Sequence, residues 1–310
     1  MKITIFGGGG FIGSWIVDRL LEDGHSLRIF ERPRVPPFRQ FSRDESVEWI
    51  AGDMTSAHDV GSAIDGADVV LHLVSTTLPK GSNDDPIYDV QSNLVGTLQL
   101  LNVMVAKSIK RIVFISSGGT VYGTPVYLPV DEKHPTEPRV SYGITKLAIE
   151  KYLLLYQHLY GMKVTILRVA NPFGVRQRVE TAQGVVGVFL SNALQKRAVE
   201  IWGDGSITRD YLYVTDVADA FARALVYEGP ESVFNISSGV GTSINEIVAI
   251  LERVLDRPVV RSYLPGRPFD VPTSVLDNSL ARRELQWHPR VGLEEGIIET
   301  ANWMRKMLNA

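Results

Sequence analysis

The sequence contains no cysteine. That absence excludes disulfides, zinc–thiolate centres and a cysteine nucleophile, and it fits a reducing compartment. No apolar stretch approaches the ~20 residues that span a bilayer. The opening run Ile3-Thr4-Ile5-Phe6 is too short for the apolar part of a secretion signal, and four glycines follow it at once. It reads as a buried strand entering a tight turn, and a cytoplasmic protein is expected. Neither sign of charge is in excess, since 32 Lys and Arg against 35 Asp and Glu leave a formal charge of -3. A nucleic acid or anionic membrane has no electrostatic footprint here, so neither is expected as a partner, and an anionic ligand must be held by local positive groups. The histidines, His25, His58, His72, His134, His158 and His288, show no ligand spacing, and no metal is expected. His72 closes an apolar run and reads as structural.

What is present is 310 residues, 45% of them hydrophobic, enough for one large α/β unit with an appendage or two small domains. Short, almost wholly apolar runs at Lys2–Phe6, Ser26–Glu31, Val47–Ile50, Val69–Leu73, Arg111–Ser116 and Lys163–Val169 have the character of strands covered on both faces. Helical patterns lie between most of them, at Phe11–Asp23, Ala57–Ile64, Ile87–Lys107 and Ser141–Tyr160. This alternation predicts a Rossmann-type α/β fold, a doubly wound parallel sheet, over residues 1–170. Beyond Asn171 helices dominate, at Gly184–Lys196, Val214–Tyr227, Ile244–Leu255 and Leu293–Met307, with short strands at Val199–Trp202, Val233–Ile236 and Val259–Tyr263. Residues 171–310 are expected to form a smaller C-terminal substrate-binding lobe, with the chain crossing back to the sheet. The proline-rich stretches Arg32–Phe38 and Pro125–Pro138 read as loops.

Gly7-Gly8-Gly9-Gly10-Phe11-Ile12-Gly13 follows a strand and opens a helix. Glycines let the backbone approach a pyrophosphate, and the unpaired N–H groups around Phe11, Ile12 and Gly13 offer it the positive end of the helix dipole. Glu31 ends the second strand about 20 residues on, where a carboxylate accepts hydrogen bonds from adenosine ribose. Arg32 can stack on adenine or meet a 2′-phosphate, but Glu31 repels that phosphate, which favours NAD over NADP. Asp53 and Met54 after the third strand, and Leu73, Val74 and Ser75 after the fourth, are candidates for the adenosine side.

Tyr142 and Lys146 are spaced to share one helix face. A free phenol is a poor base at neutral pH; a lysine ammonium and a positive nicotinamide ring both favour its phenolate, so a lowered Tyr142 pKa is expected.

Several further motifs accompany these: Gly52-Asp53, His72-Leu73, Asn93-x-x-Gly96-Thr97, Ser116-Ser117-Gly118-Gly119-Thr120-Val121-Tyr122-Gly123, Arg168-x-x-Asn171-Pro172-x-Gly174, Gly203-x-Gly205, Arg209-Asp210-Tyr211 and Arg267-Pro268-x-Asp270. With Gly7-x-x-Gly10-x-x-Gly13 and Tyr142-x-x-x-Lys146, they make the chain resemble the extended short-chain dehydrogenase/reductases over nearly its whole length, and within them the nucleotide-sugar epimerases. The resemblance implies that Tyr142 removes the sugar 4′-hydroxyl proton while C4′ passes hydride to NAD⁺, and that Lys146 binds the nicotinamide ribose. The 4-keto sugar then turns and takes the hydride back on its other face. Asn93 and Ser116 are implied on the cofactor side.

That family usually carries a Ser or Thr where this chain has Gly118. Thr120, Ser117 and Ser116 are the nearby hydroxyls, and strand parity favours Thr120 as the substitute against the substrate. Arg209 and Arg267 occupy the family's diphosphate motifs, Asn171 its nucleotide-sugar contact, and Asp270 can accept from a ribose. Trp202 is either a base-flanking aromatic or a half-buried core residue. Ser274 falls where relatives bound the sugar pocket, and its small volume implies room for an N-acetyl group. A UDP-hexose 4-epimerase is the leading expectation. A dehydratase, a net reductase and a non-catalytic NAD-binding scaffold remain as alternatives; Gly119-Thr120 stands in place of the dehydratases' acidic pair. Surplus apolar residues on the helices bearing Leu94 and Leu98, and Leu155 and Leu159, predict a homodimer through a four-helix interface.

Overall fold

The computed structural model describes residues 1–79, 81–178, 184–267 and 270–308. Pro268 and Phe269, inside the expected Arg267–Asp270 motif, lie outside the described residues. In chain order the elements begin with β1 (Lys2–Phe6), α1 (Phe11–Glu22), β2 (Ser26–Glu31), β3 (Val47–Ala51), α2 (Ala57–Ala63), β4 (Val69–His72), α3 (Pro86–Asp89), a π-helical turn (Val90–Val95), α4 (Gly96–Ala106), β5 (Arg111–Ser117), α5 (Ser141–Tyr160) and β6 (Lys163–Val169). They continue through β7 (Asn171–Phe173), α6 (Val185–Leu194), β8 (Val199–Trp202), β9 (Thr208–Tyr213), α7 (Val214–Leu225), β10 (Val233–Ile236), β11 (Gly241–Ser243), α8 (Ile244–Leu255), β12 (Arg261–Leu264), β13 (Thr273–Ser274), α9 (Ser279–Glu284) and α10 (Leu293–Leu308).

Seven strands form one parallel sheet in the order β10-β6-β5-β4-β1-β2-β3. The order reverses between β1 and β4, and the crevice beyond the carboxyl ends of these strands is where such sheets bind ligands. Alternation along β1 sends Ile3 and Ile5 to one face and Phe6 to the other. On the first face they join Ile16, Val17 and Leu20 of α1, Phe221 of α7 and Trp287 in one core. On the second, Phe6 packs with Phe30, Leu100, Leu101 and Met104, and with Ile149 and Leu153 of α5. Both faces are therefore covered over the inner strands, which is why these read as continuous apolar runs, whereas the edge strand β3 is largely exposed.

A third core joins α6, α8 and α10 to the small strands. There β9 sits between β11 and β13 and also pairs with β7, while β8 pairs with β12.

Several features differ from expectation, among them the short strands β7, β11 and β13 and the helix α9, none of which was expected. Thr208–Tyr213 is a strand, although its polar first half, Thr-Arg-Asp, hides the buried Tyr211, Leu212 and Tyr213. The expected single helix from Ile87 to Lys107 is broken by the π turn. The strand expected at Val259–Tyr263 runs from Arg261 to Leu264. Among the described residues, no helix is long and apolar enough to cross a membrane.

Candidate active site

The glycine loop is shaped by close packing. Gly7 has a φ of +89°, and a Cβ on Gly13 would lie 2.1 Å from the Gly7 carbonyl oxygen, so the first turn of α1 sits on the loop as only glycine permits. Gly10 caps α1 with no side-chain hydrogen bond, and the first turn carries no acidic residue. The dipole's positive end thus stays un-neutralised, a ready anion site. One Glu31 carboxylate oxygen, Oε1, accepts from the Gly9 N–H at 3.0 Å. Burial holds this carboxyl above its usual range, against the Gly9 bond and Arg32, which act to lower it. A cavity of about 710 Å³ opens here, and among its lining are Gly7, Gly10, Glu31, Arg32, Asp53, Met54, Leu73, Val74 and Ser75. Many of the cofactor residues chosen from the sequence therefore converge on one space, Phe11, Ile12 and Gly13 standing beside it in the first turn of α1, and the cradle, the free helix N-terminus and the carboxylate at the end of β2 fit a dinucleotide.

Other candidates on this side stand apart from the lining. Asn93 spends its amide on the protein: Oδ1 accepts from the Thr76 N–H at 2.9 Å, and Nδ2 donates to Asp89 Oδ1 at 2.9 Å and to Thr77 Oγ1 at 3.1 Å. The Ser116 hydroxyl donates to buried Glu150, which is itself paired with buried Arg168 at 2.6 Å. His72 is buried, with Nε2 2.8 Å from Thr97 Oγ1 and burial depressing its pKa to about 3.

Tyr142 and Lys146 lie in the first two turns of α5, whose register follows from Ile149 and Leu153 entering the core. The Lys146 ammonium sits 5.7 Å from the Tyr142 ring centroid and 4.7 Å from that of Phe114, and donates to the Ile115 carbonyl at 3.0 Å. Burial lowers its pKa to about 8, against the nearby Glu150 and Asp89 carboxylates.

The phenol of Tyr142 departs from expectation. Burial, and then the Asp89 charge, push it up to about 12 rather than down. The reason is geometric: the lysine faces the ring rather than the hydroxyl, and its hydrogen bond goes to the backbone. The protein alone therefore favours the protonated phenol.

Gly118 has a steric reason to be glycine. A Cβ there would lie 2.3 Å from Leu276 Cδ1 and 3.1 Å from the Arg168 carbonyl oxygen. A side chain at this position requires Leu276 to move aside. Two residues on, Thr120 Oγ1 is buried with no hydrogen-bond partner among the described residues. Its backbone abuts the start of α5, where a Cβ on Gly143 would come within 2.8 Å of the Thr120 carbonyl oxygen. Ser117 ends β5, and its carbonyl accepts from the Val121 N–H at 3.2 Å.

A second cavity, of about 290 Å³, is lined in part by Asn171, Trp202, Arg209, Arg267 and Asp270. Arg267 stacks on Trp202 at 3.8 Å. Among the described residues neither Arg209 nor Arg267 is ion-paired. Two guanidiniums without carboxylate partners suit an anionic diphosphate. Asn171 donates to the Asp210 carbonyl at 2.8 Å. Ser274 lies outside this lining, on β13 opposite Arg209.

Sequence reasoning missed Asp89 and Ser82, both fully buried beside the start of α5. No local pattern marks Asp89, whose neighbours Ile87, Tyr88 and Val90 are exposed.

A dinucleotide crevice at the switch point of a parallel sheet, a tyrosine–lysine pair on the helix before β6, and an arginine-bordered cavity in the small lobe define an NAD-dependent α/β enzyme. The model of the NAD dependent epimerase/dehydratase family matches residues 3–237, and the chain belongs to that family. It is 37% identical to a UDP-glucose 4-epimerase of Mycolicibacterium smegmatis over 309 residues, covering 98% of this chain and 99% of that one. Among solved structures it is similar to a UDP-glucose 4-epimerase of Thermotoga maritima with UDP-glucose, with a TM-score of 0.94, 34% identity and 99% and 100% of the two chains covered. It is also similar to a Thermus thermophilus UDP-glucose 4-epimerase in complex with NAD, with a TM-score of 0.90, 32% identity and 98% and 99% covered.

Proposed function

We propose that the protein is a UDP-hexose 4-epimerase using NAD, interconverting UDP-glucose and UDP-galactose through a transient 4-keto sugar. The observation that carries this reading is the position of the Tyr142–Lys146 pair. Asp89 and Asn93 tie the start of its helix to Thr76 in the wall of the first cavity. On the other side, Thr120 abuts the same helix.

NAD, when bound, supplies a hydride acceptor that returns the hydride, so no net oxidation occurs. The chain's own residues do the rest. Glu31 receives the adenosine ribose, and the α1 N-terminus receives the pyrophosphate. Tyr142 takes the proton from the 4′-hydroxyl and later returns it. Lys146 supplies positive charge beside it, and Thr120 offers the hydroxyl that Gly118 lacks. Arg209 and Arg267 hold the diphosphate, with Trp202 against the base, Asp270 on a ribose hydroxyl, and Asn171 and Ser274 on the sugar side.

The test is incubation of the protein with UDP- and dTDP-sugars without added cofactor. Appearance of the UDP-sugar 4-epimers, with loss of roughly 10²–10⁴-fold in the Tyr142→Phe variant, is the expected result. Product formation only on addition of NADPH indicates a reductase and overturns the reading; equal turnover by the variant removes Tyr142 from the chemistry.

A homodimer is part of the proposal. Ile144, Leu155 and Leu159 of α5 are 56%, 43% and 56% exposed, and Val95 on the neighbouring π turn is 48% exposed. A second copy covering this face builds a four-helix interface. A mass of one 34.4 kDa chain by light scattering at all concentrations removes it.

A further inference from the structure

Asp89 is wholly buried, yet no cation pairs with it among the described residues. Its carboxylate is held by four neutral donors. Oδ1 accepts from Asn93 Nδ2 at 2.9 Å and from the Thr77 hydroxyl. Oδ2 accepts from the Ser141 hydroxyl at 2.7 Å and the Thr145 hydroxyl at 2.8 Å. Burying an ion without a counter-ion is costly, and a folded chain retains such a group only where its hydrogen bonds are complete.

The two Oδ2 donors carry the functional meaning. Ser141 immediately precedes Tyr142, and Thr145 immediately precedes Lys146. Ser141 and Thr145 stand one turn apart on α5, as do Tyr142 and Lys146. A single carboxylate oxygen gripping the first pair fixes the rotation of the helix about its axis, and so the direction of the second pair. The surroundings reinforce the grip. Val140 gives α5 no side-chain cap; instead the Ser141 N–H donates to Asn83 Oδ1 at 2.9 Å and the Tyr142 N–H to the buried Ser82 hydroxyl at 3.0 Å. A negative group at a helix N-terminus also meets the dipole favourably. At the far end, Asn93 passes the connection to the Thr76 N–H, in the wall of the dinucleotide cavity.

We propose that Asp89 is a positioning residue for the reaction: its buried carboxylate clamps the start of α5, aligns Tyr142 and Lys146, and couples that alignment to the wall of the cofactor cavity. The inference rests on the epimerase reading. The titratable groups around the pair are Asp89 on α3, Glu150 farther along α5 and held by Arg168 of β6, and neutral His72 on β4. Of these, only Asp89 acts on both Tyr142 and Lys146, raising both. Neutralising it releases both groups to titrate lower.

The test compares wild-type protein with Asp89→Asn in UDP-glucose turnover across pH. A wild-type protein that converts no UDP-sugar sinks the epimerase reading itself. With an active wild type, the expected result for Asp89→Asn is a kcat lower by roughly 10- to 100-fold with KM little changed, as for a misplaced reacting group. Both limbs of the bell-shaped profile move to lower pH. A helix that is merely loosened lowers the height of the bell without moving it. Wild-type kcat, or unmoved limbs, overturns the proposal. Should Asp89→Asn fail to fold, Thr145→Val removes one donor and keeps the shape. Its kcat is expected to fall and Thr145→Ser to restore it; a Thr145→Val enzyme at the wild-type rate overturns the clamp.

Discussion

Replacing Thr120 with valine separates stability from activity at one atom. Thr120 Oγ1 is buried without a hydrogen-bond partner among the described residues, and an unsatisfied buried hydroxyl costs about 1–3 kcal/mol. Valine keeps the branched shape and removes the polar atom, so Thr120→Val is expected to melt at the same temperature as the wild type or about 2 °C higher in a chain of this size. Activity should move the other way. If the hydroxyl meets the substrate's reacting oxygen beside Tyr142, the lost hydrogen bond to a group gaining charge is worth about 1.5–3 kcal/mol. That is roughly a 10- to 150-fold fall in kcat/KM at 1.4 kcal/mol per tenfold. Scanning calorimetry of the cofactor-loaded protein and a coupled assay for UDP-galactose conversion read the two effects. Unchanged turnover refutes the assignment of Thr120 to the place left by Gly118. A drop in melting temperature shows that the hydroxyl is already satisfied within the protein.

Lys146 has a folded pKa near 8, below that of a free lysine near 10.4, so the cost of burying its ammonium is complete below about pH 8 and is relieved as pH rises toward 10. The cofactor-free protein should therefore lose less stability on going from pH 8 to 10 than its Lys146→Met variant, read by urea midpoints; parallel curves contradict the burial of that charge. Glu31→Ser removes both the barrier to a 2′-phosphate and the partner of the Gly9 N–H. NADP⁺ affinity should rise and NAD⁺ affinity should fall, measured by calorimetric titration, and a preference left unchanged shows that Glu31 does not face the ribose. Ser274→Tyr should abolish turnover of UDP-N-acetylglucosamine while sparing UDP-glucose; equal loss of both removes Ser274 from the sugar pocket.

Most elements of the sheet were legible because strands buried on two faces read as short continuous apolar runs, while helices buried on one face keep a helical period. The glycine loop, Glu31 and Asp53 were legible for a similar reason: they are close in sequence to the strand ends that place them. Asp89 was not. It lies among Ile87, Tyr88 and Val90, all exposed, so nothing local marks its side chain as the buried one of its turn. Its partners come from two distant segments, and the π turn that follows it breaks the helical period on which a pattern search depends. The strand at Thr208–Tyr213 was hidden because polar Thr208, Arg209 and Asp210 head an otherwise buried run: Arg209 lines the second cavity, and Asp210 accepts from Ser238 and Gly239. The direction of the Tyr142 pKa failed for a different reason: spacing places a lysine on the same helix face, but cannot say whether its ammonium meets the hydroxyl or the ring.

The place of β10 in the sheet constrains how the chain can be assembled. This strand, Val233–Ile236, completes the sheet by pairing with β6, yet it follows β6 only after β7, α6, β8, β9 and α7. On a ribosome, every residue of the tyrosine–lysine helix has emerged while β6 still presents an unpaired, apolar edge, the kind of edge that invites wrong partners. A fragment ended at residue 170 keeps that edge permanently open. The two halves of the molecule are thus poor candidates for separate expression, and the edge of β6 is where a nascent or truncated chain is most in need of a chaperone.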